Sequence, residues 1–206
     1  YIVITDHSKA IAMANGLDEK RAVAFAHRVR ELDHEALGIR VFSGLECDIL
    51  RDGRMDLDDD ALAELDFVVA SVHGHMDLSA SEMTDRYLRA IECKAVKAIG
   101  HPTGRLLLRR DGFGFDLEAV AKACAANGVA LEINASPERL DLNGPMARQA
   151  KALGAHFIIS TDAHHPRHLE NMRYGVQMAR RGWLEKGDVW NALPLKKFEK
   201  AIKARA

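Results

Sequence analysis

The sequence predicts an α/β fold on parallel strands, either an α/β barrel or a doubly wound sheet. Three observations carry this expectation. Six short apolar runs recur along the 206 residues, they alternate with stretches of helical periodicity, and the connections between them are short. The chain has no low-complexity segment, long linker or internal boundary, so residues 1–206 are expected to form a single domain.

The apolar runs lie at 1–5, 40–45, 67–72, 96–100, 129–133 and 156–160. They are rich in Val, Ile and Phe, as strands covered on both faces should be. Helical periodicity marks 18–37, 81–93, 117–127, 145–153, 169–180 and 195–204. Ser79, Asp116 and Asn143 have the chemistry of N-caps. Asn127-Gly128 and Leu153-Gly154 read as helix stops before the next strand.

Composition narrows the function classes. Hydrophobic residues make up 48% and charged residues 29%, and the formal net charge is −1. Bulk charge therefore does not predict nucleic-acid binding, and any such contact must be local. Cys47, Cys93 and Cys124 form no C-x-x-C pair, and their odd number argues against a disulfide framework. The apolar runs fall far short of a membrane span and no signal peptide is visible, so a cytoplasmic protein with reduced thiols is expected. The chain opens on Tyr1 and runs at once into an apolar stretch, as a cut inside a longer polypeptide would.

The strand ends carry the chemistry. The first run leads into Thr5-Asp6-His7-Ser8, the second into Gly44-Leu45-Glu46 and the third into Ser71-Val72-His73-Gly74-His75. The fourth leads into Gly100-His101-Pro102, the fifth into Leu131-Glu132-Ile133-Asn134 and the sixth into Thr161-Asp162-Ala163-His164-His165. In a closed parallel barrel these ends converge on one face. Neutral imidazole and carboxylate together suit Zn²⁺, Mn²⁺ or Fe²⁺. A lone strand-end histidine has ordinary structural uses, and Asp6 and Asp162 could be helix caps. It is the repetition at His7, His73, His101 and His164 that points to a metal site. His27 and His34 are expected on the solvated side of the first helix, His156 in a structural place and His168 at a helix start. Cys47 follows Glu46 on its strand and should face the opposite side, in the core.

These motifs resemble the PHP (polymerase and histidinol phosphatase) family. A finer match runs through Asp48-Ile49-Leu50, Asp52-Gly53, Gly100-His101-Pro102-Thr103-Gly104-Arg105, Leu131-Glu132-Ile133-Asn134, Pro137-Glu138-Arg139-Leu140-Asp141-Leu142 and Ala179-Arg180-Arg181-Gly182-Trp183-Leu184. It resembles the C-terminal PHP domain of bacterial X-family DNA polymerases. The resemblance implies a distorted (β/α)₇ barrel holding up to three divalent metals, Mn²⁺ or Zn²⁺. Glu46, His73 and His101 would form one metal's set, Glu46 would bridge to a second that Asp162 helps bind, and His7 and His164 would serve the third. The family's first strand, with its His-x-His motif, is expected ahead of Tyr1.

The implied function is metal-dependent phosphoester hydrolysis, with these six residues catalytic or metal-binding. Arg105, Arg139, His75 and His165 are candidates for contacting phosphate or substrate. The resemblance implies 3′→5′ exonuclease and 3′-end processing in DNA repair. Expected partners are DNA 3′ ends and upstream polymerase domains, with no membrane. A small-molecule phosphatase of the histidinol-phosphate type and a structural or docking PHP domain are the alternatives.

Overall fold

The computed structural model describes residues 1–203. The described strands are β1 (Ile2–His7), β2 (Val41–Asp48), β3 (Phe67–Ser71), β4 (Val96–Ile99), β5 (Ala130–Asn134) and β6 (His156–Ser160). They form one sheet in sequence order, every neighbouring pair parallel. The sheet curls into a half-barrel with β1 and β6 at its two free edges. Helices α1 (Glu19–Arg30), α2 (His34–Leu37), α3 (Asp59–Ala63), α4 (Ala80–Glu92), α5 (Leu117–Asn127), α6 (Gly144–Ala152), α7 (Met172–Arg181) and α8 (Leu195–Lys203) complete the described chain.

The predicted caps work as their chemistry requires. Ser79 and Glu82 form a reciprocal capping box on α4, and the Asp116 and Asn143 side chains accept the Ala119 and Met146 N–H groups. Gly128 ends α5 in the left-handed conformation, at φ 62°. The helix predicted at 18–37 is instead two helices. The Asp33 side chain accepts the Ala36 N–H and starts α2 afresh, so residues 31–33 break the run. His34 sits in this second turn, half-buried, where its Nδ1 accepts the Val41 N–H, rather than on a solvated helix face. His168 falls in a 3₁₀ turn, Pro166–Asn171, that precedes α7. The last predicted helix is α8; its final position, Ala204, lies outside the described residues.

The apolar surface is divided between two layers. The larger core lies between the sheet and its helices. It includes Leu45, Cys47, Val68, Ala70, Ile99, Leu131, Ile133 and Phe157 from the strands and Tyr87, Ile91 and Val120 from the helices. The smaller core holds Phe42, Phe67, Val69, Ala98, Ala130 and Ile158 with Trp190, Phe198 and Ile202. These strand residues alternate with those of the first layer, so they fill the inner side of the curl. Phe198 and Ile202, one turn apart on α8, pack among them, and the Tyr1 and Phe198 rings stack at 4.6 Å.

Further along the same strand faces the apolar residues give way to polar ones. On β2 the sequence of inner positions is Phe42, Gly44, Glu46. Gly100 needs its missing side chain, because a Cβ there would lie 2.3 Å from Ser71 Oγ. Strand direction thus puts an apolar plug at one end and the chemistry at the C-terminal end.

Candidate metal centre

Register builds the site. His7 on β1 pairs with Glu46 on β2, and Asp48 pairs with Ser71, two residues before His73. His101 lies two residues past the end of β4 and Asp162 two past the end of β6. Both take left-handed backbone, at φ 24° and 52°, which turns the chain sharply where the strand ends.

Glu46 stands at the centre. Its Oε1 lies 2.8 Å from His101 Nε2 and 3.3 Å from His73 Nε2, and its Oε2 lies 3.5 Å from His7 Nδ1. The rings of His7 and His73 are 5.6 Å apart, those of His73 and His101 5.1 Å, and those of His7 and His164 5.9 Å. Ligand atoms of His7, Glu46 and His73 all fall within 4.8 Å of one another, close enough to share a metal ion. Two buried imidazole nitrogens, His7 Nδ1 and His101 Nδ1, lack hydrogen-bond partners. Imidazoles gathered round one carboxylate, with spare nitrogens, fit a divalent metal of the Mn²⁺ or Zn²⁺ type.

Asp162 approaches from the far side of the curl. Its Oδ2 accepts from Asn134 Nδ2 and Arg139 Nε, each at 3.2 Å. His164 is exposed and its Nδ1 lies 2.9 Å from the Asp162 carbonyl oxygen. Between the edges β1 and β6 runs a cleft of about 910 Å³, lined by Glu46, Glu132, Asn134, Asp162 and His164 among others.

Electrostatics agree with a ligand-dense centre. Burial pushes the Glu46 carboxyl up, but the His101 and His73 imidazoles outweigh it and hold the group well below its ordinary range. Burial pushes His73 down, but Asp48 and Glu46 outweigh it and lift the imidazole to about 9. Burial raises Glu132 to about 7, against the pull of His101. The Glu46 and His73 shifts follow from opposite charges sharing a desolvated space, and the Glu132 shift from desolvation itself, with Asp162 and Glu46 adding to it.

Three residues that the sequence motifs include, but to which they assign no role, support the centre. Asp48 Oδ1 accepts the His73 backbone N–H at 3.0 Å and lies 3.1 Å from ring Nδ1, which aims Nε2 at Glu46. Glu132 accepts the His101 backbone N–H, and Asn134 stands between Glu132 and Asp162. Asp48 had a signal in its spacing: two residues after Glu46, it shares that residue's face of the strand.

The four substrate-contact candidates fall in different places. Arg139 reaches the site, and its Nη1 is a buried donor without a partner. Arg105 donates to the carbonyl oxygens of Arg139 and Leu140, so its guanidinium clamps the loop that carries Arg139. His75 is exposed at φ 53°, with its carbonyl oxygen held by the buried Arg86. His165 is exposed on the cleft, and its Nδ1 accepts the Arg167 N–H.

No protein-family model matches the chain. It is 40% identical over 203 residues to "DNA polymerase/3'-5' exonuclease PolX" of Bacillus subtilis, covering 98% of this chain and 36% of that protein. It is 33% identical over 171 residues to a "Probable phosphatase" of Shewanella oneidensis, covering 78% of this chain and 62% of the relative. A "Probable phosphatase" of Caldanaerobacter subterraneus is 27% identical over 173 residues. The chain thus spans little more than a third of the polymerase and under two thirds of the first phosphatase. Taken with the parallel half-barrel and the motifs at its strand ends, these likenesses identify the chain as a PHP-type domain similar to that of bacterial X-family DNA polymerases.

Proposed function

We propose that residues 1–206 form one PHP phosphoesterase domain that hydrolyses DNA phosphodiesters at 3′ ends, as part of an X-family polymerase acting in repair. The observation that carries this reading is Glu46, ringed by His7, His73 and His101 at one end of a parallel sheet, with Asp162 across the curl. Likeness to a polymerase named as a 3′-5′ exonuclease supports DNA as the substrate.

Glu46, His73 and His101 would hold one divalent ion, with Glu46 shared toward a second beside Asp162, and His7 and His164 serving a third. Bound cations supply Lewis acidity: they make water acidic enough to attack phosphorus near neutral pH and offset charge on the phosphoryl oxygens. The chain's own residues do the rest. Asp48 fixes the His73 tautomer, and Glu132 pins the His101 backbone. Arg139 orients Asp162 through Nε and offers its unpartnered Nη1 to a phosphate oxygen. Asn134 keeps Glu132 and Asp162 apart, so two carboxylates coexist in a partly buried space. The seventh strand of the PHP barrel would close the sheet in the cleft between β1 and β6.

The phosphatase names of other relatives favour a second reading, hydrolysis of a small phosphomonoester by the same residues. Comparing a 3′-recessed DNA strand with a small phosphomonoester in Mn²⁺ separates the two. Release of nucleotides from the DNA supports the proposal; activity confined to the monoester overturns it.

A further inference from the structure

Three residues beyond His101 the chain leaves the site in a turn that is both rigid and apolar at its tip. Its sequence is Arg105-Leu106-Leu107-Leu108-Arg109-Arg110-Asp111. Leu106 and Arg110 exchange both backbone hydrogen bonds, at 2.9 and 2.8 Å. The Leu107 N–H donates to the Glu138 carbonyl oxygen at 2.6 Å, and Arg110 donates twice to the Gly104 carbonyl oxygen. At the base, Gly104 sits at φ 62° against the Phe113 ring, and Thr103 donates twice to the buried Asp141 carboxylate.

This well-tied turn holds Leu108 wholly in solvent, 107% exposed, and leaves Leu107 38% exposed. Leu108 also takes φ 63°, which a branched side chain adopts at a cost. The chain buries nothing of its own with this leucine. The same segment carries Arg105, Arg109 and Arg110 against Asp111, a local positive excess on a chain whose net charge is −1, although the Arg105 and Arg110 guanidiniums are held on the Arg139, Leu140 and Gly104 carbonyl oxygens. Arg109 also reaches Glu138 at 3.5 Å, an exposed pair that leaves its guanidinium open to other anions. An apolar tip on a positively charged turn, with the exposed Arg109 guanidinium next to it in sequence, fits the end of a nucleic-acid duplex: a flat base-pair face to stack on and a phosphate beside it. The turn is tied to the site's own loop, because Leu107 bonds to Glu138, the neighbour of the Arg139 that contacts Asp162.

We propose that the Leu107-Leu108 turn is a wedge that stacks on the terminal base pair of a duplex and parts the 3′ strand from its complement, delivering it to the centre next door. This rests on the reading of the centre as a DNA 3′-end hydrolase. A base pair must open before a terminal phosphodiester can enter a site at the floor of loops, and an inserted side chain lowers that cost.

The test uses the full chain and a blunt duplex with 2-aminopurine as its 3′-terminal base and a phosphorothioate at the last linkage. Wild-type protein is expected to raise the fluorescence as the base unstacks. The double variant L107S/L108S should reduce that rise about fivefold or more, while wild-type rates persist on a single-stranded 3′ tail. The variant changes the wholly exposed Leu108 and the partly covered Leu107, and its circular dichroism spectrum should match wild type. No rise with wild type, or an equal rise with the variant, overturns the wedge. If the leucine-dependent rise is seen but the same duplex with an ordinary phosphodiester at its last linkage is not hydrolysed, the wedge stands and the nuclease reading falls. If DNA is hydrolysed without the rise, the nuclease reading stands and the wedge falls.

Discussion

Asp48 holds His73 at two points: its Oδ1 accepts the backbone N–H at 3.0 Å and lies 3.1 Å from ring Nδ1. A ring held this way presents Nε2, and only Nε2, to the centre. Asp48→Asn keeps the size of the side chain but removes the charge that fixes the tautomer. Divalent metal affinity is expected to fall about 10- to 100-fold, by titration calorimetry, with the fold intact. Unchanged affinity would mean that Asp48 plays no part in ordering the ligand.

The same contact sets a pH dependence in the metal-free protein. His73 titrates at about 9 in the folded chain against 6.5 for the free imidazole. Its folded pKa is raised, so its contribution is fully present below about 6.5 and disappears as pH rises through about 9. Glu132, raised to about 7 from 4.5, acts in a lower window: the folded state favours its proton, and that advantage disappears between those values. Urea midpoints of EDTA-treated protein should therefore fall between pH 7 and 9, and His73→Gln should flatten that fall. A flat wild-type profile would contradict the assignment.

Phe198 on α8 is 1% exposed and stacks on Tyr1 at the plugged end of the curl. Phe198→Ala removes a large ring from a close-packed space, at a cost of about 3–5 kcal/mol. The loss should be read as a lower urea midpoint with an unchanged slope. A cost under about 1 kcal/mol would show that α8 docks loosely.

Arg139→Ala should raise KM for a phosphoester about tenfold, by removing a charge-assisted hydrogen bond. Because Arg139 also touches Asp162, kcat should fall too, and Arg139→Lys should restore only part of either. Steady-state kinetics giving wild-type values for the alanine variant would remove Arg139 from the site.

Much of this was legible in the sequence. Buried parallel strands read as apolar runs, so the strand ends could be located and the His and acidic residues there seen to converge. Cys47 was legible by alternation alone, and it lies in the outer core. What stayed hidden was tertiary or too short for a period. The five residues of α3 span little more than one helical turn. The break at 31–33 was hidden because apolar periodicity continues across it while the Asp33 cap is local. Arg139 meets Asp162 across 23 residues of chain through a loop clamped by Arg105, a contact that no local pattern announces.

The central claim is that the cluster around Glu46 is a metal centre. Elemental analysis of purified wild-type chain beside Glu46→Gln, both dialysed against Mn²⁺ and then buffer, tests it most directly. The account predicts bound metal at about one ion or more per wild-type chain and a loss of most of it in the variant, with matching circular dichroism spectra. Equal metal content in the two proteins, or none in either, would contradict it.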